Sequence, residues 1–225
     1  MGNPATKISE ANQSYEYLHH AIVRGDLLPN QRLVELELAK QLGVGRAAIR
    51  TALDRLAHDG LVAHEPNRGA HVRLVSLEEA IEMMEARAVL EGLAMRKATL
   101  NATAQEIADL QAMLVQMETC LAAGDLLTIS EINAQLHAAL LRIAKHQTVT
   151  RLLEQLQASH VRFQYRMILV PGRATHSLQE HRAIIEAILA RDADAAEAAM
   201  RLHLSHSVDA LRQSNTPARE RLENV

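Results

Sequence analysis

Four side chains able to ligate a metal lie in the C-terminal half of the chain: Asn133 and His137 in "NAQLH", His181 in "SLQEHR" and His203 in "MRLHL". Asn133 and His137 are four residues apart, so on a helix they share one face. Imidazole nitrogen suits zinc, nickel, copper, manganese or iron, and an amide oxygen adds a hard, neutral donor. Three histidines need no thiolate beside them. The same four residues also suit the bland role of satisfied polar groups in a helical core, and spacing alone does not separate the two readings. The chain has twelve histidines, and His19, His20, His58, His64, His71, His146 and His160 read as surface or core groups. His176 and His206 lie near the proposed ligands in sequence and are placed to substitute for them or act behind them.

A second set of residues suits nucleic acid. Arg46 and Arg50 are four apart in "GRAAIRTALDRLAH" and share a helical face opposite Ile49, Ala52, Leu53 and Leu56. An arginine near a helix N-terminus can bond a guanine edge with two parallel donors or hold a phosphate. Arg68 stands at the tip of "EPNRG", next to Gly69, where a hairpin tip can reach a minor groove or a phosphate.

These residues need elements to carry them. Aromatics make up 2% of the chain, with one Phe and no Trp, so the core must be built from Leu, Ala, Ile, Val and Met. Tyr15, Leu18, Ala21 and Ile22 recur at the helical period, and their helix should stop near Gly25. Pro29-Asn30 suits a type II turn. A second helix over about Val34 to Leu42 and a third over Arg46 to His58, split by Gly43-Val44-Gly45, have the layout of a helix-turn-helix. "LVAH" and "AHVRLV" read as the strands of a hairpin wing. Ser76 and Glu79 are spaced as a capping box and open a run of amphipathic helices, with Thr103–Ala122, Leu126–Ala144, Thr148–Leu169, Ser177–Ala190 and Ala193–Leu211 following the first. Ser177 and Glu180 read as the cap of the helix that carries His181.

The expected fold is therefore mainly α: a winged helix-turn-helix over residues 14–75, then an all-helical antiparallel bundle of about six helices over residues 76–213. Residues 1–13 read as a flexible N-terminal segment and 214–225 as a tail. The formal net charge is −3, but residues 1–75 carry +1 and the remainder −4. The basic character is local, so position must carry any argument for DNA binding. The lone Cys120 makes no internal disulfide, and no apolar run has the length of a signal core or a membrane span. A cytoplasmic protein is expected.

The stretch "RLVELELAKQLGVGRAAIRTALDRLAHDGLVAHEPNRGAHV" resembles the winged helix-turn-helix of the GntR family of bacterial transcription regulators. "EARAVLEGLA", "NAQLHAALLRIAKHQTV" and "SLQEHRAIIEAILARDADAAEAAMRLHL" are similar to the FCD effector domain of its FadR-like branch. The resemblance implies that Arg46, Arg50 and Arg68 contact operator DNA and that Arg32 contacts phosphate. Gly45 stands where the family usually has a serine cap, and Ala47-Ala48 replaces the common Thr-Pro, which removes two hydroxyl donors. In metal-binding members the matching motifs supply Asn133, His137, His181 and His203. Asn133 is a weaker ligand than the aspartate often found there. Arg87 matches a family arginine suited to an effector carboxylate, with Arg162 and Arg166 as further candidates.

The implied protein is a homodimeric regulator rather than an enzyme. It binds palindromic double-stranded operator DNA under control of a small carboxylate effector held at a divalent transition metal, zinc ahead of nickel, manganese or iron. Two other readings use the same residues. In one the metal is structural or is itself the signal; in the other the site is a metal-dependent enzyme, against which no Asp or Glu is obviously poised as general base beside the histidines.

Overall fold

The computed structural model describes residues 4–65 and 69–215, with the side chains of these except at positions 4–9, 23, 157–166 and 215. Arg68, Arg162 and Arg166 therefore lie outside the described side chains. The chain divides into two compact units, Met1–Ser76 with Gln157–Arg162, and Leu77–Leu156 with Phe163–Val225.

In the first unit, helix α1 (Pro4–Arg24) begins inside the stretch expected to precede the domain. Proline at the opening position suits a helix start, where the missing N–H has no helical partner anyway. Ala11 and Ser14 are already buried. The Pro29-Asn30 turn forms as expected: Asn30 takes φ 62° and the Gln31 amide bonds the Leu28 carbonyl at 3.0 Å. Strand β1 (Arg32–Leu33) leads into α2 (Glu35–Leu42) and α3 (Arg46–His58). Strands β2 (Val62–Glu65) and β3 (Gly69–Val72) pair antiparallel as the expected hairpin.

Strand β1 was not foreseen. It pairs with β3 through Arg32↔His71 and Leu33↔Ala70, giving sheet order β1-β3-β2. Two residues are too few to show a period of two. Leu18, Ile22, Leu33, Ile49, Leu53, Leu56, Val62 and Val72 make the core of this unit, which fixes the outward face of α3.

The second unit holds α4 (Leu77–Asn101), α5 (Ala104–Ala123), α6 (Leu126–Ala144), α7 (Gln147–Ile168) apart from Gln157–Arg162, α8 (Arg173–Leu189) and α9 (Ala193–Asn215). Thr103 and Glu106 close a capping box on α5, and Asp125 caps α6 through the Thr128 amide. α4 packs against α6 and α9, while α8 packs against α5 and α9. Gly92 sits mid-helix where a Cβ would meet Arg201 Cγ at 3.0 Å, so its missing side chain lets α9 come close to α4. Met95, Leu110, Met117, Leu136, Leu140, Ile184 and Met200 lie in the shared core. Among the described residues, no helix is long and apolar enough to cross a membrane.

One helix start differs from expectation. α8 begins at Arg173, after Gly172 at φ 78°, so Ser177 and Glu180 are interior residues rather than caps. "RATH" continues the helix upstream without a breaker, and His181 sits two turns in, fully buried. Glu180 is thereby released from capping to face α9.

The turn between α2 and α3 provides a test of the first unit. Gly43 caps α2 in the left-handed region at φ 68°, where a Cβ is unfavourable by roughly 1–2 kcal/mol. Gly43→Ala should lower unfolding free energy by about that amount in urea titrations. Gly45→Ala, at φ −71° with no atom nearer than 4.0 Å to the added carbon, carries no such backbone strain and should lose only the preference of the α3 N-cap for Gly over Ala.

Candidate functional site

Three helices of the second unit bring His137 (α6), His181 (α8) and His203 (α9) together. One ring nitrogen from each lies within 4.8 Å of the others, and the ring centroids are 4.4 to 5.4 Å apart. His181 and His203 are buried, and the His137 side chain is 12% exposed. This cluster is the one among the described residues that could hold a metal ion.

The hydrogen bonds fix which nitrogens are available. His137 Nδ1 lies 2.8 Å from Glu91 Oε2, and His203 Nδ1 lies 2.7 Å from Glu180 Oε2. An ionised carboxylate can only accept, so each Nδ1 carries a proton and each neutral ring turns its Nε2 lone pair away from the carboxylate. Carboxylate–histidine pairs of this kind orient rings for metal binding and raise their basicity. His137 Nε2 and His181 Nε2 face each other at 3.2 Å. Either His181 donates a proton across that gap, or both nitrogens present lone pairs to a cation.

Burial pushes the His181 imidazolium well below its ordinary pKa, with His203 and His137 adding to the effect. Burial likewise lowers His203 to about 4, although Glu180 pulls in the opposite direction. Both are neutral at neutral pH, the form that can ligate. Burial raises the Glu91 carboxyl, but Arg87 and His137 more than offset this and hold it below the usual carboxylate range. Glu180 is held low in the same way against its burial by His203, Arg173 and His206.

Asn133, one turn before His137 on α6, adds an independent observation. Its Oδ1 is buried with no hydrogen-bond partner, alone in this among the described side-chain atoms. A buried amide oxygen left unmatched is costly, and a cation that takes oxygen and imidazole donors would satisfy it. The residues present therefore fit a divalent transition metal.

Glu91 and Glu180, each bonded to a ring Nδ1 of the cluster, were both missed as site residues. A signal for Glu91 was available: it falls on the buried stripe of Ala80, Met84, Ala94, Met95 and Ala98 as the one charged member. Arg173 was missed too. It is buried on α8, donating to Glu180 Oε2 at 2.8 Å and to Ser207 Oγ at 2.9 Å. His206 bonds the other oxygen of Glu180 at 2.7 Å. Arg87, expected to face an effector carboxylate, already donates from Nε at 2.9 Å and from Nη2 at 2.6 Å to Glu91 Oε1.

In the first unit, Arg46 and Arg50 stand on the exposed face of α3, with side chains 61% and 60% exposed. Both are bonded to Glu35 on α2, Arg50 through Nε and Nη2 and Arg46 through Nη2. Arg32 is exposed on β1. Gly45 forms the cap of α3 without a side-chain hydrogen bond, as its sequence implies.

Comparison with known proteins agrees with both units. The model of the gntR family of bacterial regulatory proteins matches residues 10–72, and that of the FCD domain matches residues 82–206. The HTH-type transcriptional repressor RspR of Escherichia coli K12 is 29% identical over 217 residues, covering 95% of this chain and 94% of RspR. The Nta operon transcriptional regulator of Aminobacter aminovorans is 28% identical over 183 residues, covering 80% of this chain and 84% of its own. Among solved structures, E. coli McbR/YncC superposes with a TM-score of 0.76 at 23% identity over 92% of this chain and 99% of its own, which speaks for the fold. RspR is a transcriptional repressor and the Nta operon protein a transcriptional regulator.

The Arg87–Glu91 pair is itself testable. Arg87→Ala leaves a buried carboxylate short of its cation and should lower unfolding free energy by about 3 kcal/mol. Adding Glu91→Gln should recover much of that loss in chemical denaturation, because the buried charge is then gone.

Proposed function

We infer that this chain, which belongs to the gntR family of bacterial regulatory proteins and carries an FCD domain, is a cytoplasmic homodimeric regulator whose binding to palindromic operator DNA answers to a small organic acid held at a metal in the helical unit. The observation that carries this reading is the convergence of His137, His181 and His203 from three helices, with ligand nitrogens within 4.8 Å of one another. Asn133 is the fourth proposed ligand. Bound there, a divalent transition ion, zinc ahead of nickel, manganese or iron, supplies a positive centre to which a carboxylate can add.

The charge of the surroundings favours an anionic effector. Glu91 is matched by Arg87 and Glu180 by Arg173, while the buried His181 and His203 are neutral and Asn133 carries no charge. A divalent ion at such a neutral donor set keeps its charge, and an organic acid offsets it. An aspartate at position 133 would reduce that demand. Arg87 is the proposed cationic contact for the acid, using the N–H groups that Glu91 leaves, and Arg162 and Arg166 are proposed to assist.

In the first unit, Arg46 and Arg50 are proposed to read base edges in the major groove, with Arg32 and Arg68 on phosphate or the minor groove. A twofold dimer imposes twofold symmetry on the DNA it matches. The acid controls binding only if it binds the DNA-competent and DNA-incompetent states with different affinity.

Elemental analysis of the purified protein should find a transition metal, lost when His137 and His203 are both replaced by Ala; full retention would show that other residues hold it. Asn133→Asp should hold the metal more tightly in competition with a chelator. Organic acids titrated against operator binding should act only on the metal-loaded protein, whereas a response to metal alone would make the ion the signal. Arg50→Ala should weaken binding to the selected operator by about tenfold or more with the melting of the helical unit unchanged. Operator affinity left intact would remove α3 as the reading helix.

A further inference from the structure

Glu35 accepts three hydrogen bonds from the two arginines proposed to read DNA. Arg50 donates from Nε to Oε1 at 2.9 Å and from Nη2 to Oε2 at 2.8 Å, and Arg46 donates from Nη2 to the same Oε2 at 3.3 Å. We propose that Glu35 is a positioning residue for DNA reading, which aims the Arg50 fork and cancels one of two positive charges, trading phosphate attraction for sequence discrimination. This rests on the reading that Arg46 and Arg50 face operator DNA.

The geometry makes Glu35 the fixed partner. Its side chain is 27% exposed against about 60% for the two arginines. It is the first residue of α2, where the positive end of the helix favours a carboxylate. α2 packs against α3. The hydrogen bonds from Arg50 and Arg46 outweigh its slight burial and keep its pKa low, so it is ionised when the protein meets DNA.

The pairing leaves a specific set of donors. With Nε and one N–H of Nη2 engaged, Arg50 retains the end-on fork of Nη1 and the outer N–H of Nη2. Two parallel donors of that kind match guanine O6 and N7. Without Glu35, a half-exposed guanidinium samples many rotamers, most of them better suited to a phosphate than to a base edge. The carboxylate also separates two arginines that otherwise repel at four-residue spacing on α3. Their combined charge with Glu35 is +1 instead of +2, so the face attracts DNA of any sequence less strongly, and a fixed negative charge opposes misplaced phosphates.

The test uses the full-length protein, a duplex selected by the unaltered protein from a randomised pool, and an unrelated duplex of equal length. Affinities for both are measured across a salt series. Glu35→Gln should bind the unrelated duplex more tightly, with a log–log salt slope steeper by about one, and its ratio of selected to unrelated affinity should fall by about tenfold. Glu35→Asp keeps the charge but shortens the reach. It should keep the original salt slope and still lose selectivity, and it carries the test if the glutamine variant melts early. An unchanged selectivity ratio in both variants overturns the positioning role, and an unchanged slope in Glu35→Gln overturns the charge cancellation. Arg50→Ala is measured alongside: if it retains full selectivity, the reading of α3 itself has failed, whereas selectivity lost there and kept in both Glu35 variants refutes only the role of Glu35.

Discussion

The buried carboxylate of Glu91 is the constraint around which the helical unit is arranged. An ionised group 2% exposed is tolerated only when its charge is met and its lone pairs are used. Arg87 supplies the charge from one turn earlier on α4, and His137 takes the other oxygen from α6. The ion pair is local, but the bond to His137 joins two helices whose residues are 46 positions apart. It sets the α4–α6 register and the tautomer of His137 together. A shift of either helix by one residue would strand the carboxylate.

Glu180 repeats this arrangement on the other side of the histidine cluster. It binds His203 and His206 from α9 and Arg173 from its own helix. Each outer histidine of the cluster is thus backed by an ionised glutamate, and each glutamate by an arginine. The central His181 has no such partner; Ser177 Oγ stands 3.5 Å from its Nδ1. Two carboxylates and two arginines brace three imidazoles without leaving net charge, so a cation there would stay electrophilic rather than be neutralised by its own protein.

The same chemistry serves a different end in the first unit. Glu35 binds two arginines at an exposed surface, where ion pairs contribute little to stability. Its effect is on direction and on local charge, whereas burial makes Glu91 and Glu180 decisive for the fold. The contrast comes from solvent, because the side chains involved are nearly the same.

The sequence by itself determined the element order, both families of motif and most helix boundaries, because helical period, turn glycines and capping residues are local signals. The α3 helix, the wing hairpin and α6 were legible in this way, whereas the four candidate ligands were singled out by the family resemblance and not by spacing. Strand β1 was not, since two residues carry no period. The start of α8 was misplaced because Ser177 and Glu180 look like a cap when only their neighbours are visible. What the tertiary structure alone decided was partnership: that Glu91 meets His137, Glu180 meets His203, and Glu35 meets Arg50. Such pairs join residues that are distant along the chain. An isolated charge in a helical stretch reads as solvated until the packing of a second helix removes the water from around it.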